Sequence, residues 1–302
     1  MHVLITGGTG LIGQALCSAL PAAGHQVTVL SRFPQTVHRK CGPDVSIFSD
    51  ISQWTEDTVF DAVINLAGAP IVDVPWTSAR RKMLWDSRVT LTEKLVEKIA
   101  ASRTKPAVLL SGSAIGFYGD CGDEPIVESH GTGSDFAAQL CAAWEAAARR
   151  ATAAGVRVCL LRTGVVLSAS GGFLGRMLLP FKLGLGSRLG NGRQWLSWVH
   201  IDDFVAATML LLDNDEASGA FNMTATQPVT NHDFTQKLAA AMDRPAFLAA
   251  PSWAIKAIFG ARSLLLLGGQ RVLPEKLQSL GYRFKYASVD QALKQVVMAL
   301  GR

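Results

Sequence analysis

Two short stretches of this chain combine residue types and spacings that could support chemistry. TGGTGLIG, residues 6 to 13, sets Gly7, Gly10 and Gly13 in the pattern of a loop whose backbone amides meet a phosphate. In that pattern Gly7 permits a tight turn, Gly10 lets the main chain approach a pyrophosphate, and Gly13 lets the next helix pack closely on a strand. The second stretch, FAAQLCAAWEAAARR at 136 to 150, puts Cys141 and Glu145 one turn apart on one face of an amphipathic helix. A carboxylate there can serve as a general base or pair with Arg149 a turn further on, and the thiol reads as a small buried residue or a nucleophile. SGSAIGFYG, residues 111 to 119, adds the hydroxyl of Ser113 and the phenol of Tyr118. Ser113 can hydrogen-bond a substrate carbonyl or close a turn at a strand end, and Tyr118 can reach a reacting group or pack. Later in the chain Trp195, Trp198, His200 and Asp202 are candidates to line a cleft, and His200 without an identified carboxylate partner also reads as structural.

The elements that position these groups are legible from hydrophobic pattern. HVLIT, QVTVLSR, DAVINLAG, AVLLSGS and VRVCLLRTGVVL are short apolar runs rich in Val, Ile and Leu, most of them followed by helical spacing. Continuous apolar strands alternating with helices predict a parallel sheet covered on both faces. The glycine loop follows the first strand directly and opens the first helix, the context that turns a weak motif into a specific one. The second strand ends in LSRF, where an acidic residue would hold the ribose hydroxyls of NAD; Ser31 and Arg32 stand there instead, and a guanidinium suits a 2'-phosphate. NADP is the expected cofactor. The resulting fold class is α/β, a Rossmann-type doubly wound parallel sheet over 1–167 with a smaller C-terminal substrate lobe over 168–302. Parts of about 195–226 are expected to return to the first domain. GGFLGRMLLPFKLGLGSRLGNGRQ reads as a mobile, glycine-rich substrate-side loop, Thr230 with Asp233 and Ser288 with Gln291 as helix starts, and Gly281 as a left-handed C-cap.

Composition narrows the function. The chain has 302 residues, 49% hydrophobic and 18% charged, with a formal net charge of +5, so it folds. Its Lys and Arg are scattered, without a basic run interleaved with aromatics, and no nucleic-acid partner is expected. Five cysteines without paired spacing indicate neither a disulfide framework nor a metal site and suit a reducing cytoplasm. MHVLITGGTG does not resemble a secretory leader. WAIKAIFGARSLLLLGG is interrupted by Lys256, Gly260 and Arg262, too soon for a membrane span; it reads as a buried helix or a lobe-packing element, and no membrane partner is expected.

TGGTGLIG, NLAG at 65 to 68, SGSAIGFYG and RTGVVL at 162 to 167 occur in the order and spacing of extended short-chain dehydrogenases/reductases. PFKLGLGSRLGNGRQWLSWVHIDD and LGGQRVLPEKL narrow the match, and the chain resembles the YfcH-like epimerase family, an atypical branch of that superfamily, over nearly its whole length. The resemblance implies bound NADP, with Gly7, Thr9, Gly10, Leu11, Ile12 and Gly13 at the pyrophosphate and Ser31 and Arg32 at the adenosine side. It places Leu66, Ala67 and Gly68 beside the adenine and inner ribose, Arg88 where many relatives have Asn, and Val166 near the nicotinamide pocket. It also implies that Cys141 and Glu145 stand where active members carry Tyr and Lys, which leaves Ser113, Tyr118 and Glu145 as the candidate catalytic groups. The expected function is that of an NADP-binding epimerase or oxidoreductase acting on a small molecule such as a nucleotide sugar or carbonyl compound. A regulatory or scaffold protein that binds the cofactor without turnover is the alternative, and a homodimer is expected by analogy.

Overall fold

The computed structural model describes residues 1–300. Seven parallel strands form the central sheet: β1 (His2–Thr6), β2 (Gln26–Leu30), β3 (Ser46–Phe48), β4 (Ala62–Asn65), β5 (Val108–Ala114), β6 (Arg157–Thr163) and β7 (Gly219–Met223). Their spatial order is 7-6-5-4-1-2-3, so the winding direction reverses between β1 and β4. At such a switch point the loops beyond the strand ends diverge and leave a crevice for a ligand.

Each strand feeds two cores because successive side chains alternate across the sheet. Val3, Ile5, Ala62, Ile64, Val108 and Leu110 face one cluster; Leu4, Val63 and Leu109 face the other. The first cluster is closed by α1 (Leu11–Ala22), through Leu16 and Leu20, and the second by a long helical stretch. That stretch comprises α2 (Ser78–Trp85), a π-helical turn over Asp86–Thr90, and α3 (Leu91–Ala101), which buries Leu95 and Ile99. Next comes α4 (Phe136–Arg149), which starts sharply because the Asp135 carboxylate accepts from the amides of Ala137 and Ala138 at 2.7 and 3.0 Å.

A third core joins α5 (Gly172–Lys182), α7 (Asn231–Ala241) and α9 (Val289–Leu300) around Leu174, Phe181, Trp198, Phe234, Leu238 and Leu293. Between them α6 (Ile201–Asp213) returns to the first core through Phe204 and Leu211 and leads into β7 at the sheet edge. Thr230 caps α7 by accepting the Asp233 amide at 3.1 Å, Ser288 accepts the Gln291 amide at 3.4 Å, and Gly281 adopts φ 79°.

Two expectations are corrected. The glycine-rich segment after residue 171 contains a helix, α5, because Leu174, Leu178 and Phe181 recur at helical spacing and bury against the third core. The apolar segment after Pro251 is not a buried helix: α8 (Ser252–Phe259) seats Ile255 but leaves Trp253 and Ile258 in solvent, and the packing against the first domain comes after it, where buried Arg262 donates to the Val72 carbonyl at 2.6 Å. Among the described residues, no helix is long and apolar enough to cross a membrane and no cluster of ligating side chains could hold a metal ion.

Candidate active site and cofactor cradle

The chain leaves β1 at Thr6 and turns at Gly7, whose φ of 72° is one that L side chains rarely adopt. A Cβ on Gly7 would stand 2.7 Å from the carbonyl carbon of Leu66, so the loop lies directly on the segment after β4. The Gly10 amide donates to the Gly7 carbonyl at 2.9 Å, and a Cβ on Gly13 would fall 2.3 Å from the Gly7 oxygen, which presses α1 onto the turn. No side chain caps α1 and its first turn holds no acidic residue. The amides of Leu11, Ile12 and Gly13 therefore have no acceptor within the helix, and with the helix dipole they form a concave region of positive potential suited to a phosphate. The Thr9 carbonyl is held by Gln14 Nε2 at 2.9 Å, which fixes the loop wall.

Ser31 and Arg32 follow β2 on the same side. Ser31 Oγ accepts the Phe33 amide at 3.1 Å, and exposed Arg32 stands 5.9 Å from the Phe33 ring centroid. The run from Ser31 to Thr36 carries no carboxylate, so these residues fit a phosphorylated ribose better than a free diol.

The segment Leu66–Gly68 is set by a buried polar network. The Leu66 amide donates to the Thr6 carbonyl at 3.1 Å and the Ala67 amide to Thr6 Oγ1 at 3.2 Å. Thr6 Oγ1 in turn donates to Asn65 Oδ1, and Asn65 Nδ2 reaches Thr92 Oγ1 and Ser111 Oγ at 2.7 and 3.2 Å. The π-helical turn aims Arg88 back over this segment: its Nη2 donates to the Ala69 carbonyl at 3.0 Å, and a Cβ on Gly68 would meet its Cζ at 2.9 Å. Burial pulls the Arg88 pKa down, and the guanidinium also packs 5.4 Å from the Trp144 ring centroid. Val166 lies in the short strand Val165–Leu167, paired in parallel with Trp198–His200. Nearby, a Cβ on Gly172 would touch Leu11 Cδ2 at 2.8 Å, so the start of α5 overhangs the start of α1.

Ser113, Tyr118 and Glu145 converge on a residue the sequence reading did not single out. Arg162, in β6, forms a two-pronged ion pair with Glu145: Nε to Oε1 at 2.8 Å and Nη2 to Oε2 at 2.9 Å, with both side chains under 5% exposed. Its Nη1 donates to the Tyr118 hydroxyl at 2.9 Å and the Glu128 carbonyl at 3.1 Å, and its Cζ lies 3.6 Å from the Phe117 ring centroid. Burial works against the Arg162 charge, but the bonds and charge of Glu145 outweigh it and raise the pKa. Ser113 Oγ donates to Glu145 Oε1 at 2.8 Å.

All three side chains are tied into this network. Arg162 and Ser113 engage the two oxygens of Glu145, and Arg149, a turn away, approaches only to 3.6 Å. With its proton directed at Glu145, Ser113 presents lone pairs and accepts a hydrogen bond rather than donating one to a carbonyl. Tyr118 is buried and donates to Asn222 Oδ1 at 2.6 Å while accepting from Arg162, so its hydroxyl belongs to the network; burial raises its pKa. Cys141, on the same face of α4 as Glu145, is a buried thiol whose pKa burial pushes up to about 11, so it stays neutral beside Ser113.

The groups expected from the second lobe are mostly structural. His200 Nδ1 accepts the Asp202 amide at 3.1 Å, capping α6, which leaves Nε2 to donate to Gln295 Oε1 at 2.9 Å. Trp198 is wholly buried and donates to the Gln227 carbonyl, and Asp202 pairs with Lys285 at 3.1 Å. Trp195 is half-exposed, held by Asp123 at 2.7 Å, and Asp202 is exposed. Beside Arg162 lies Glu128, whose Oε1 accepts the Asn222 amide at 3.0 Å while its buried Oε2 has no partner; burial raises its pKa. The signal for Arg162 was present in VRVCLLRTGVVL: a charge inside an otherwise apolar buried strand requires a buried counter-charge.

Comparison with known proteins agrees with this architecture. The NAD dependent epimerase/dehydratase family matches residues 3–224, and a domain of unknown function, DUF1731, matches residues 250–296. An epimerase family protein of Mycobacterium bovis is 41% identical over 295 residues, covering 96% of each chain. The chloroplastic epimerase family protein SDR39U1 homolog of Arabidopsis thaliana is 36% identical over 304 residues, covering 98% of this chain and 87% of its own. The crystal structure of human epimerase family protein SDR39U1 (isoform 2) with NADPH superimposes with a TM-score of 0.89 at 34% identity, covering 99% of both chains. The chain belongs to the NAD dependent epimerase/dehydratase family, as the resemblance read from its motifs implied.

Proposed function

We propose that this protein binds NADP(H) and catalyses hydride exchange at a hydroxyl-bearing or carbonyl carbon of a small molecule such as a nucleotide sugar. The reading is supported most by the uncapped start of α1 facing an end of β2 that carries Arg32 in place of a carboxylate. It is also supported by the human relative solved with NADPH. Gly7, Thr9, Gly10, Leu11, Ile12 and Gly13 would hold the pyrophosphate, Ser31 and Arg32 the ribose phosphate, and Leu66, Ala67, Gly68, Arg88 and Val166 the remainder. When bound, the nicotinamide supplies a hydride donor or acceptor.

The chain's own contribution centres on Ser113. Its hydroxyl is oriented by Glu145, which Arg162 holds rigid, so a substrate hydroxyl that donates to Ser113 Oγ is fixed at the C-terminal end of β5. A buried, two-pronged ion pair is costly to assemble, and its use here is to set the direction of one hydroxyl. The alternative, cofactor binding without turnover, is favoured by one observation: Cys141 is neutral and both oxygens of Glu145 are engaged, so α4 offers no ready proton acceptor. Following NADPH absorbance across a panel of sugar nucleotides and small carbonyl compounds separates the two. Turnover lost in Ser113→Ala with NADPH affinity retained supports the enzyme; tight NADPH binding with no turnover throughout supports the alternative.

A further inference from the structure

The second lobe carries a surface that the proposed chemistry does not use. Leu179, Leu183 and Leu185, at and beyond the end of α5, and Phe247, Trp253 and Ile258, before and within α8, are between 56% and 80% exposed. The segments that bear them are packed side by side. Ser187–Leu189 pairs in parallel with Leu248–Ala250, Arg244 Nε donates to the Lys182 carbonyl at 3.2 Å, and the Gly190 amide donates to the Ala250 carbonyl at 2.8 Å.

The charge of the same segments is one-sided. Residues 172–201 and 244–274 contain eight of the chain's 29 Lys and Arg and none of its 24 Asp and Glu; without them the sign of the net charge of +5 would reverse. Arg176 is paired with Asp73, and Arg262 is buried and donates to the Val72 carbonyl at 2.6 Å. Lys182, Arg193, Arg244 and Lys256 are exposed, and none of the four takes part in an ion pair among the described residues.

We propose that this face is a peripheral docking surface for an anionic lipid bilayer, with the exposed Leu, Phe, Trp and Ile side chains entering the headgroup boundary and the four cations meeting lipid phosphates. Leucine, isoleucine, phenylalanine and tryptophan beside Lys and Arg are the composition of interfacial segments that lie on a membrane. A second copy of the chain would bring the same cationic face against itself, a like-charge juxtaposition that opposes a two-fold contact. A double-stranded polynucleotide keeps its bases stacked and offers phosphates but nothing apolar for the leucine and isoleucine tips to enter. Docking of this kind differs from a membrane span, for which no helix among the described residues is long and apolar enough, and it departs from the expectation of no membrane partner.

Sedimentation of the full chain with vesicles tests it. Phosphatidylcholine vesicles containing a substantial fraction of phosphatidylglycerol should bring the protein down and pure phosphatidylcholine vesicles should not, with binding weakened by added salt. Each basic side chain near such a surface raises affinity about fivefold, so the combined Lys182→Gln, Arg244→Gln and Lys256→Gln variant should lose roughly a hundredfold. The Phe247→Ser and Trp253→Ser double variant should also lose binding, with circular dichroism unchanged in both variants. The proposal is overturned by no binding to either vesicle, by equal binding to both, or by binding that neither variant weakens. It is equally overturned if light scattering shows a dimer that the Phe247→Ser and Trp253→Ser variant dissociates, which would assign the face to a second copy.

Discussion

If the Glu145–Arg162 pair is a buried, mutually dependent unit, removing one member must cost far more than an exposed ion pair would. Arg162→Met deletes four donated hydrogen bonds, to both oxygens of Glu145, to the Tyr118 hydroxyl and to the Glu128 carbonyl, and leaves a carboxylate that is 3% exposed without its counter-charge. Breaking a buried pair from one side costs about 3–5 kcal/mol. Glu145→Gln keeps the side-chain volume and one acceptor oxygen, and Arg162 keeps its bonds to Tyr118 and Glu128, so this change belongs near the lower end, about 3 kcal/mol, and Arg162→Met near the upper. Combining the two removes both charges together. The double variant should therefore be no worse than about the Arg162→Met variant alone, a coupling of about 3 kcal/mol between the sites. Urea unfolding of the four proteins at neutral pH measures all the terms. Single changes each costing less than about 1 kcal/mol, the range of a surface pair, or strictly additive costs, would refute the reasoning.

Further predictions follow from single positions. Arg32→Ala should reduce NADPH affinity roughly 10- to 100-fold, the loss of one charge-assisted contact, with NADH affinity unchanged; fluorescence titration of both cofactors reads it. Gly7→Ala places a Cβ 2.7 Å from Leu66 main-chain atoms at φ 72°, so NADPH binding should be abolished or the melting temperature should drop by several degrees; retention of both would contradict the loop geometry. Glu128→Gln should raise thermal stability at pH 7 to 8. Burial raises the Glu128 pKa above its unfolded value, so its contribution is fully present below the unfolded pKa and is lost as pH rises through the folded one. The advantage of the Gln variant should accordingly shrink to nothing in acid, and a constant advantage at every pH would count against it.

The fold was readable because strand runs such as HVLIT and DAVINLAG are apolar on both faces, and a glycine turn between such a strand and a helix admits few architectures. The conformation of the glycine loop was readable for a related reason: the placement of its main-chain amides follows from Gly7, Gly10 and Gly13, which local sequence displays. The polar network was readable only in part: the charge inside VRVCLLRTGVVL calls for a buried counter-charge but does not say which residue supplies it. Glu145 and Arg162 are 17 residues apart on different elements, α4 and β6, and meet only because these pack together; helical spacing alone offered Arg149, the weaker partner at 3.6 Å. The α5 helix was hidden by glycines whose low helical preference is overridden by the burial of Leu174, Leu178 and Phe181, a tertiary effect that a local reading does not register.

Isothermal titration of the purified protein with NADPH and with NADH tests the central claim most directly. Main-chain donors at the start of α1 and Arg32 beyond β2 predict saturable heat with NADPH at an affinity at least roughly tenfold above that for NADH. Equal affinities would contradict the role given to Arg32, and the absence of heat with either nucleotide would contradict the cradle itself.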